Sequence, residues 1–238
     1  MKSESLKYLT HKEVLLRVAP LATLDNIKSG IPASITIAQF ILESSWGSSI
    51  LAQNSNNCFG MKRNLSGNDW PGSTWTGETV KWVSSEVNSG QTVRQVSEFR
   101  KYASIEDSIA DHSAYLAGAK NGTALRYDGL KFQLNYRTAA QIIKAGGYAT
   151  ATDYADVLCE MIERHDLTQY DAIKPPYTIR VSVSAVVARS GPGPEYPSTV
   201  VVRGPNIYTI TEAQNGYGRL KSGAGWLNLS YAEWLGCP

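Results

Sequence analysis

A helix that is apolar on nearly every side must be surrounded by the rest of its domain, and residues 32–47 (PASITIAQFILESSWG) read as such a helix. Pro32 suits the first turn, where its missing N–H costs nothing, and Gly47 suits the end. Thr36, Gln39 and Glu43 lie at i, i+3 and i+7, so they share one stripe. A charge on a buried helix is expensive unless it is paired or faces a cleft. Glu43 also falls in the last turn, at the negative end of the helix dipole. Apolar walls and the dipole both disfavour the carboxylate, so its pKa is expected to be raised, which suits a general acid near neutral pH. The plainer alternative is a Glu on the helix's one wet face.

The remaining pattern divides the chain. At 238 residues, length alone predicts one or two domains. The stiff pair Pro175-Pro176 separates a mostly helical part from a β-patterned tail, and we expect a domain at 1–170, a linker at 171–176 and a second domain at 177–238. The first part carries 18 basic and 18 acidic residues and the second 5 and 3, so neither has a strong charge of its own. Thr10-His11-Lys12-Glu13 is a capping box that opens a first helix. Segments 75–83 and 92–99 read as two strands joined by an Asn88-Ser89-Gly90 turn, a β-hairpin lobe. Helices are expected again at 104–116, at 138–145 with a capping box from Thr138 to Gln141, and at 152–164. The tail alternates as in Val181-Ser182-Val183-Ser184, with turns at 189–193, 215–216 and 222–225, as in a small barrel.

Several chemistries are excluded. A net charge of +2 is too small for binding carried by phosphate neutralisation, so no nucleic-acid partner is expected. Cys58, Cys159 and Cys237 form no paired Cys-x-x-Cys motif, and His11, His112 and His165 form no His-Glu-x-x-His. No metal is therefore expected, and with no glycine-rich phosphate loop no cofactor either. No run of about 20 apolar residues exists, so no membrane span is expected.

What remains points to a polymer with amide and hydroxyl groups. Tyr (13) and Trp (6) greatly outnumber Phe (4), favouring rings with a polar handle. The loop Asn54-Ser55-Asn56-Asn57-Cys58-Phe59-Gly60 offers amides beside an aromatic face. A glycosidase needs a second group to activate water or to stabilise an oxocarbenium-like state. Glu78, Glu86 and Glu98 in the hairpin lobe are the candidates; Glu86 lies just before the turn, where it would project over a cleft.

The motifs FILESSWGSS, NNCFGMK, a Trp-rich β segment, FRKYASIEDSIADH and AGGYATATDYADVL follow one another over roughly residues 10–168. In this order they resemble glycoside hydrolase family 73, the peptidoglycan endo-β-N-acetylglucosaminidases of autolysins, flagellar muralytic enzymes and phage endolysins. The resemblance implies an α+β, lysozyme-like, mainly helical catalytic domain with a small β-hairpin lobe. It implies cleavage of the β-1,4 bond between N-acetylglucosamine and N-acetylmuramic acid. Carried over by motif, Glu43 matches the family's general acid. Asn57, Phe59 and Gly60 match a segment lining the substrate cleft, and Tyr148 matches a tyrosine near the catalytic centre. Glu86, thirteen residues before Phe99, matches the second carboxylate, with Glu78 in reserve. Cys58 inside the Asn57–Gly60 motif and Asn-Ser-Gly in place of Asn-Gly are departures that remove no catalytic group.

The tail resembles a bacterial Src-homology-3 domain, which implies an SH3-like barrel binding wall peptide and holding the enzyme on its polymer. The expected whole is a monomeric peptidoglycan hydrolase, either a phage endolysin or an autolysin. With no leader pattern in its first 17 residues, it is expected to be made in the cytoplasm and to act at the wall after release. Inverting, retaining and substrate-assisted chemistry all remain open. So do a lytic transglycosylase or muramidase on the same scaffold, and a non-catalytic wall-binding protein.

Overall fold

The predominantly apolar segment is helix α2 (Ala33–Ser44), and Ile35, Ile37, Ala38, Phe40 and Ile41 are each 3% exposed or less. The structure, a computed structural model, describes residues 1–65, 70–88, 91–171, 175–214 and 217–236. The chain forms two compact units, Met1–Asp25 with Thr36–Asp128, and Asn26–Ile35 with Gly129–Pro238.

The first unit takes in most of α1 (His11–Ser29), α2 from Thr36 on, α3 (Ile50–Ser55), the strands β1 (Thr79–Asn88) and β2 (Gln91–Arg100), α4 (Ile105–Gly118) and the short paired strands β3 (Lys120–Asn121) and β4 (Ala124–Leu125). The capping box forms as expected: Thr10 N–H donates to Glu13 Oε2 at 2.8 Å, and Glu13 N–H to Thr10 Oγ1 at 3.4 Å. Those Thr10 hydrogen bonds hold the Glu13 carboxyl below its ordinary pKa. Ser104 caps α4 by accepting from Asp107 N–H at 3.2 Å. β1 and β2 pair antiparallel without a shift from Thr79↔Arg100 to Asn88↔Gln91. The first strand thus begins four residues later than its sequence pattern suggests. Trp75 stays out of the ladder because its indole N–H is given to the Glu78 carbonyl at 2.7 Å and its ring lies on the Arg100 guanidinium. Residues 89 and 90 of the expected turn lie outside the described residues.

His112 on α4 is fully buried, stacked on Phe59 with ring centroids 3.9 Å apart. Burial pushes its pKa down to about 3. The unfolded chain binds a proton at this residue near pH 6.5, and the folded protein does not, so stability is fully present above that pH and drains away as pH falls toward 3. Between pH 7.5 and 5 this one group should remove about 2 kcal/mol. Urea unfolding of His112→Leu at the two pH values should show a loss smaller by that amount; equal losses in both proteins would refute the assignment.

The second unit contains α5 (Tyr136–Ala145), α6 (Tyr154–Arg164) and the strands β5 (Tyr177–Val181), β6 (Ala185–Arg189), β7 (Ser198–Arg203), β8 (Ile207–Gln214), β9 (Tyr217–Leu220), β10 (Trp226–Asn228) and β11 (Ala232–Gly236). Helix α5 starts earlier than expected because Asn135, not Thr138, is its cap: Asn135 Oδ1 accepts from the N–H groups of Arg137 at 3.0 Å and Thr138 at 3.4 Å. The strands form one antiparallel sheet in the order β11-β5-β8-β9-β10-β6-β7. Alternate residues, among them Tyr177, Ile179, Val181, Val186, Ala188 and Val202, share one apolar core. The end strands β7 and β11 are not paired with each other among the described residues, so this is an open order rather than the closed barrel of the expectation. The expected turn at 215–216, linker residues 172–174 and Cys237 lie outside the described residues. Among the described residues no helix is long and apolar enough to cross a membrane.

Candidate active site

Of the three polar residues on the α2 stripe, Thr36 and Gln39 are buried, and only Glu43, half-buried in the last turn, reaches the surface. Its surroundings are fixed by a sharp reversal. Ser44 Oγ donates to the Phe40 carbonyl at 2.6 Å and accepts from Gly47 N–H at 2.7 Å. The next three residues are all left-handed, Ser45 at φ 50°, Trp46 at 61° and Gly47 at 77°. A left-handed non-glycine residue costs about 1–3 kcal/mol and persists only where its surroundings insist. Here the insistence comes from Ser44 and from Trp46, whose ring stacks on His11 with centroids 3.9 Å apart and planes 3° from parallel. The helix therefore stops one residue after Glu43, short of the predicted Gly47, and the carboxylate stands on a rigid shoulder.

Gly47 is required twice over. Besides its positive φ, a Cβ there would sit 2.8 Å from Leu6 Cδ1 and 3.1 Å from Phe40 Cζ. Gly47→Ala should cost about 2 kcal/mol, read as a lower midpoint in thermal or urea unfolding. An unchanged midpoint would mean the reversal is not held as tightly as these contacts require.

The asparagine loop plays a different part from the one expected of it. Asn57 is 1% exposed; its Nδ2 donates to the Met61 and Arg100 carbonyls, both at 2.8 Å, and its Oδ1 accepts from Met61 N–H at 2.9 Å. All its polar atoms are engaged by backbone, so it shapes the loop and ties it to β2. Phe59 is also interior, 3% exposed, between His112 and an edge contact to Phe40 at 6.4 Å, so its ring offers no face to a ligand. Gly60, at φ 64°, has nothing within 4 Å of where its Cβ would be, so its backbone borders open space. Cys58 is enclosed, and burial pushes its thiol up to about 12.

The loop and the hairpin base are stitched together by Arg63 N–H to the Glu98 carbonyl at 2.8 Å, Arg100 N–H to the Met61 carbonyl at 2.9 Å and a Lys62↔Phe99 bridge. Two of the three hairpin carboxylates sit at this base in ion pairs. Glu98 meets Arg63 at 2.6 Å, which holds its carboxyl below the ordinary range, and Glu78 meets Lys101 at 3.0 Å. Position 86 is on β1 opposite Val93, toward the far end of the hairpin.

Beneath the base lies a network that sequence reasoning missed. Arg100 Nη1 meets Asp111 Oδ2 at 2.9 Å, with the two side chains 3% and 0% exposed. Asp111 also accepts from Tyr102 Oη at 2.7 Å and Ser73 Oγ at 2.6 Å. The guanidinium lies over the rings of Trp70, at 4.4 Å, and Trp75, at 4.5 Å. The available signal was an aspartate among the apolar positions of α4. Tyr148 belongs to the second unit, between α5 and α6, where its half-buried ring lies over Tyr154 with centroids 5.8 Å apart. Among the described residues, no group of three His, Cys, Asp or Glu side chains could hold a metal ion.

The model of the family described as mannosyl-glycoprotein endo-beta-N-acetylglucosaminidase matches residues 19–167, which includes α2, the loop and the hairpin. The exo-glucosaminidase LytG of Bacillus subtilis is 37% identical over 142 residues, 60% of this chain and 47% of that protein. The peptidoglycan hydrolase FlgJ of Pseudomonas aeruginosa is 29% identical over 166 residues, 68% of this chain and 38% of that protein. The chain thus spans less than half the length of these curated relatives. The solved catalytic domain of the Listeria monocytogenes autolysin Auto shares the helical fold, with a TM-score of 0.59 and 26% identity over 70% of this chain and 93% of that one. This agrees with the lysozyme-like helical architecture expected for the first part. The carboxylate at the end of a buried helix thus falls within a match covering well over half of the sequence, and the chain belongs to the glucosaminidase family.

Proposed function

We propose that the chain is a peptidoglycan hydrolase, an endo-β-N-acetylglucosaminidase that cuts between N-acetylglucosamine and N-acetylmuramic acid. The observation that carries this reading is Glu43, the one polar residue of the α2 stripe to reach the surface, held by a left-handed reversal within a family match that runs through it. The names of the relatives support the polymer. Glu43 is the general acid, protonating the glycosidic oxygen as the bond breaks. Glu86 is the second carboxylate, activating water or orienting the reacting sugar. Glu86 holds this role by its place thirteen residues before Phe99, the spacing that the family resemblance gives the second carboxylate, with Glu78 in reserve. Asn57 and Phe59 act by building the loop and Gly60 by leaving room beside it, and Tyr148 keeps the substrate-binding role that the family resemblance gives it. Residues 177–238 form an SH3-like module that binds wall peptide, joined through 171–176 to a catalytic domain at 1–170. The protein acts at the bacterial cell wall as a monomer.

Mass spectrometry of borohydride-reduced digests of purified peptidoglycan tests the reading. Products should end in reduced N-acetylglucosamine. A reduced muramic end would identify a muramidase, and an anhydro-muramic end a transglycosylase. An endo-acting enzyme should release a range of glycan lengths early in digestion, whereas disaccharides alone would place it with an exo-acting mode.

A further inference from the structure

The sheet of the second unit ends on β7, whose far side pairs with no strand among the described residues. Natural sheets blunt such edges, because unpaired N–H and C=O groups recruit a further strand. The middle of this edge is not blunted. Between Ser198 and Arg203 the strand reads Thr-Val-Val-Val, with no charge. Val201 is 54% exposed and stands opposite Val187 of β6, itself 39% exposed. The register decides which backbone groups are free. Gly204 N–H donates to the Ser184 carbonyl at 3.0 Å, one pair beyond Ala185↔Arg203. Hydrogen-bonded pairs alternate along an antiparallel ladder, so Val202 and Val200 bond to β6, while Val201 and Arg203 turn their N–H and C=O groups outward. Tyr208 Oη donates to the Arg203 carbonyl at 2.7 Å. The Arg203 N–H and both groups of Val201 are left without a protein partner among the described residues.

The free stretch is bounded at both ends. The ladder shifts between Ala188 and Arg189, which makes Thr199 an extra residue, and Thr199 Oγ1 donates to the Ala224 carbonyl at 2.7 Å. Pro205 follows Gly204 at the other end. A bulge and a proline stop a long strand from zipping on, so the edge admits a few residues of chain. One end also carries a charge. Arg203 is exposed, and its guanidinium has no hydrogen bond or ion pair among the described residues. A guanidinium presents a fork of donors that fits a carboxylate.

We propose that the outer edge of β7 takes a short extended peptide as an added strand, with its backbone on the N–H and C=O of Val201 and a carboxylate on Arg203. Main-chain hydrogen bonds then give the affinity, and the exposed valines meet small apolar side chains. The inference rests on the reading of residues 177–238 as a wall-peptide module, and it deepens that reading by naming the strand, the mode of pairing and the charge of the partner. An uncrosslinked stem peptide of peptidoglycan has the required chemistry: it is short, rich in alanine and ends in a carboxylate. Its residues alternate in handedness, which spoils a long regular ladder but not pairing around the single residue Val201.

The test follows the backbone amide signals of the isotope-labelled full chain as the stem pentapeptide Ala-γ-D-Glu-Lys-D-Ala-D-Ala is added at low salt. Saturable shifts should centre on Val187, Val201 and Arg203. Val201→Pro removes an N–H that the β6 ladder does not use, and proline is tolerated on an edge strand where its nitrogen faces outward, so this variant should keep its unfolding midpoint and bind about fivefold more weakly. Amidating both carboxyl groups of the peptide should weaken binding to the wild-type protein about threefold and binding to Arg203→Gln not at all. If Val201→Pro lowers the midpoint, the comparison of the two peptides on Arg203→Gln decides alone. An absence of saturable binding, shifts centred elsewhere, undiminished binding by a folded Val201→Pro, or an equal effect of amidation on both proteins overturns the proposal. So does a dimer in sedimentation that Val201→Pro abolishes, which would give the edge to a second copy of the chain. Edge binding without glucosaminidase products from the wild-type protein would sink the hydrolase reading alone; products without edge binding would sink only the assignment of β7.

Discussion

Glu43→Gln should lower the rate of peptidoglycan solubilisation about 10³-fold while leaving the fold intact. The amide keeps the size of the side chain, and the position is half-buried at a helix end, so stability should change by no more than about 0.5 kcal/mol. What the amide lacks is a proton to give. Breaking a glycosidic bond without protonating its oxygen leaves a poor leaving group, and a positioned general acid contributes typically about 10²–10⁴-fold. The pH profile supplies an independent reading. A group that must be protonated produces an alkaline limb in kcat/KM, and Glu43→Gln should abolish that limb along with most of the rate. Glu86→Gln should act differently, because a group that assists the attacking water or the sugar acts as base, so its loss should remove the acidic limb. Full lysis by Glu43→Gln, or a normal alkaline limb on its residual rate, would mean that another residue carries the proton.

The sequence revealed the parts whose signals are local. An apolar run with one acidic residue in its last turn reads as a buried helix whose acid reaches the surface, and α2 with the half-buried Glu43 is that helix. The capping box at Thr10 was equally legible, because its two hydrogen bonds join residues three apart. Signals failed where a distant partner decided the outcome. Asn57 looked like a ligand-facing amide, since an asparagine loop reads the same whether its amides meet sugar or backbone; the choice was made by Arg100, 43 residues away. Trp75 looked like a strand residue until Arg100 and the Glu78 carbonyl claimed its ring and its N–H. The helix end fell three residues early because a left-handed run over Ser45 and Trp46 has no signature in residue type and depends on the stack with His11. Local pattern thus locates the acid, and long-range pairing determines what stands around it.

The strongest of these pairings carries the largest expected effect on stability. Asp111→Ala should destabilise the protein by about 4 kcal/mol, because it leaves the Arg100 guanidinium buried without its counter-charge and strips Tyr102 and Ser73 of their acceptor. Arg100→Met alone should cost a comparable amount by stranding the carboxylate. The pair Arg100→Met with Asp111→Leu should recover much of the loss, since removing both charges removes the desolvation cost along with the attraction. Urea unfolding of the two single variants and the double variant measures this coupling directly; strictly additive losses would show that the pair is not the unit described. Activity should not follow stability in the double variant. Arg100 also holds the Lys62 carbonyl at 3.2 Å through Nε and lies between Trp70 and Trp75, so it joins the loop at 57–63, the segment at 70–75 and the foot of the hairpin. A refolded double variant that keeps its stability but loses about tenfold in kcat/KM would place the network in the positioning of the hairpin over the site. Full activity in that variant would reduce it to a device for folding.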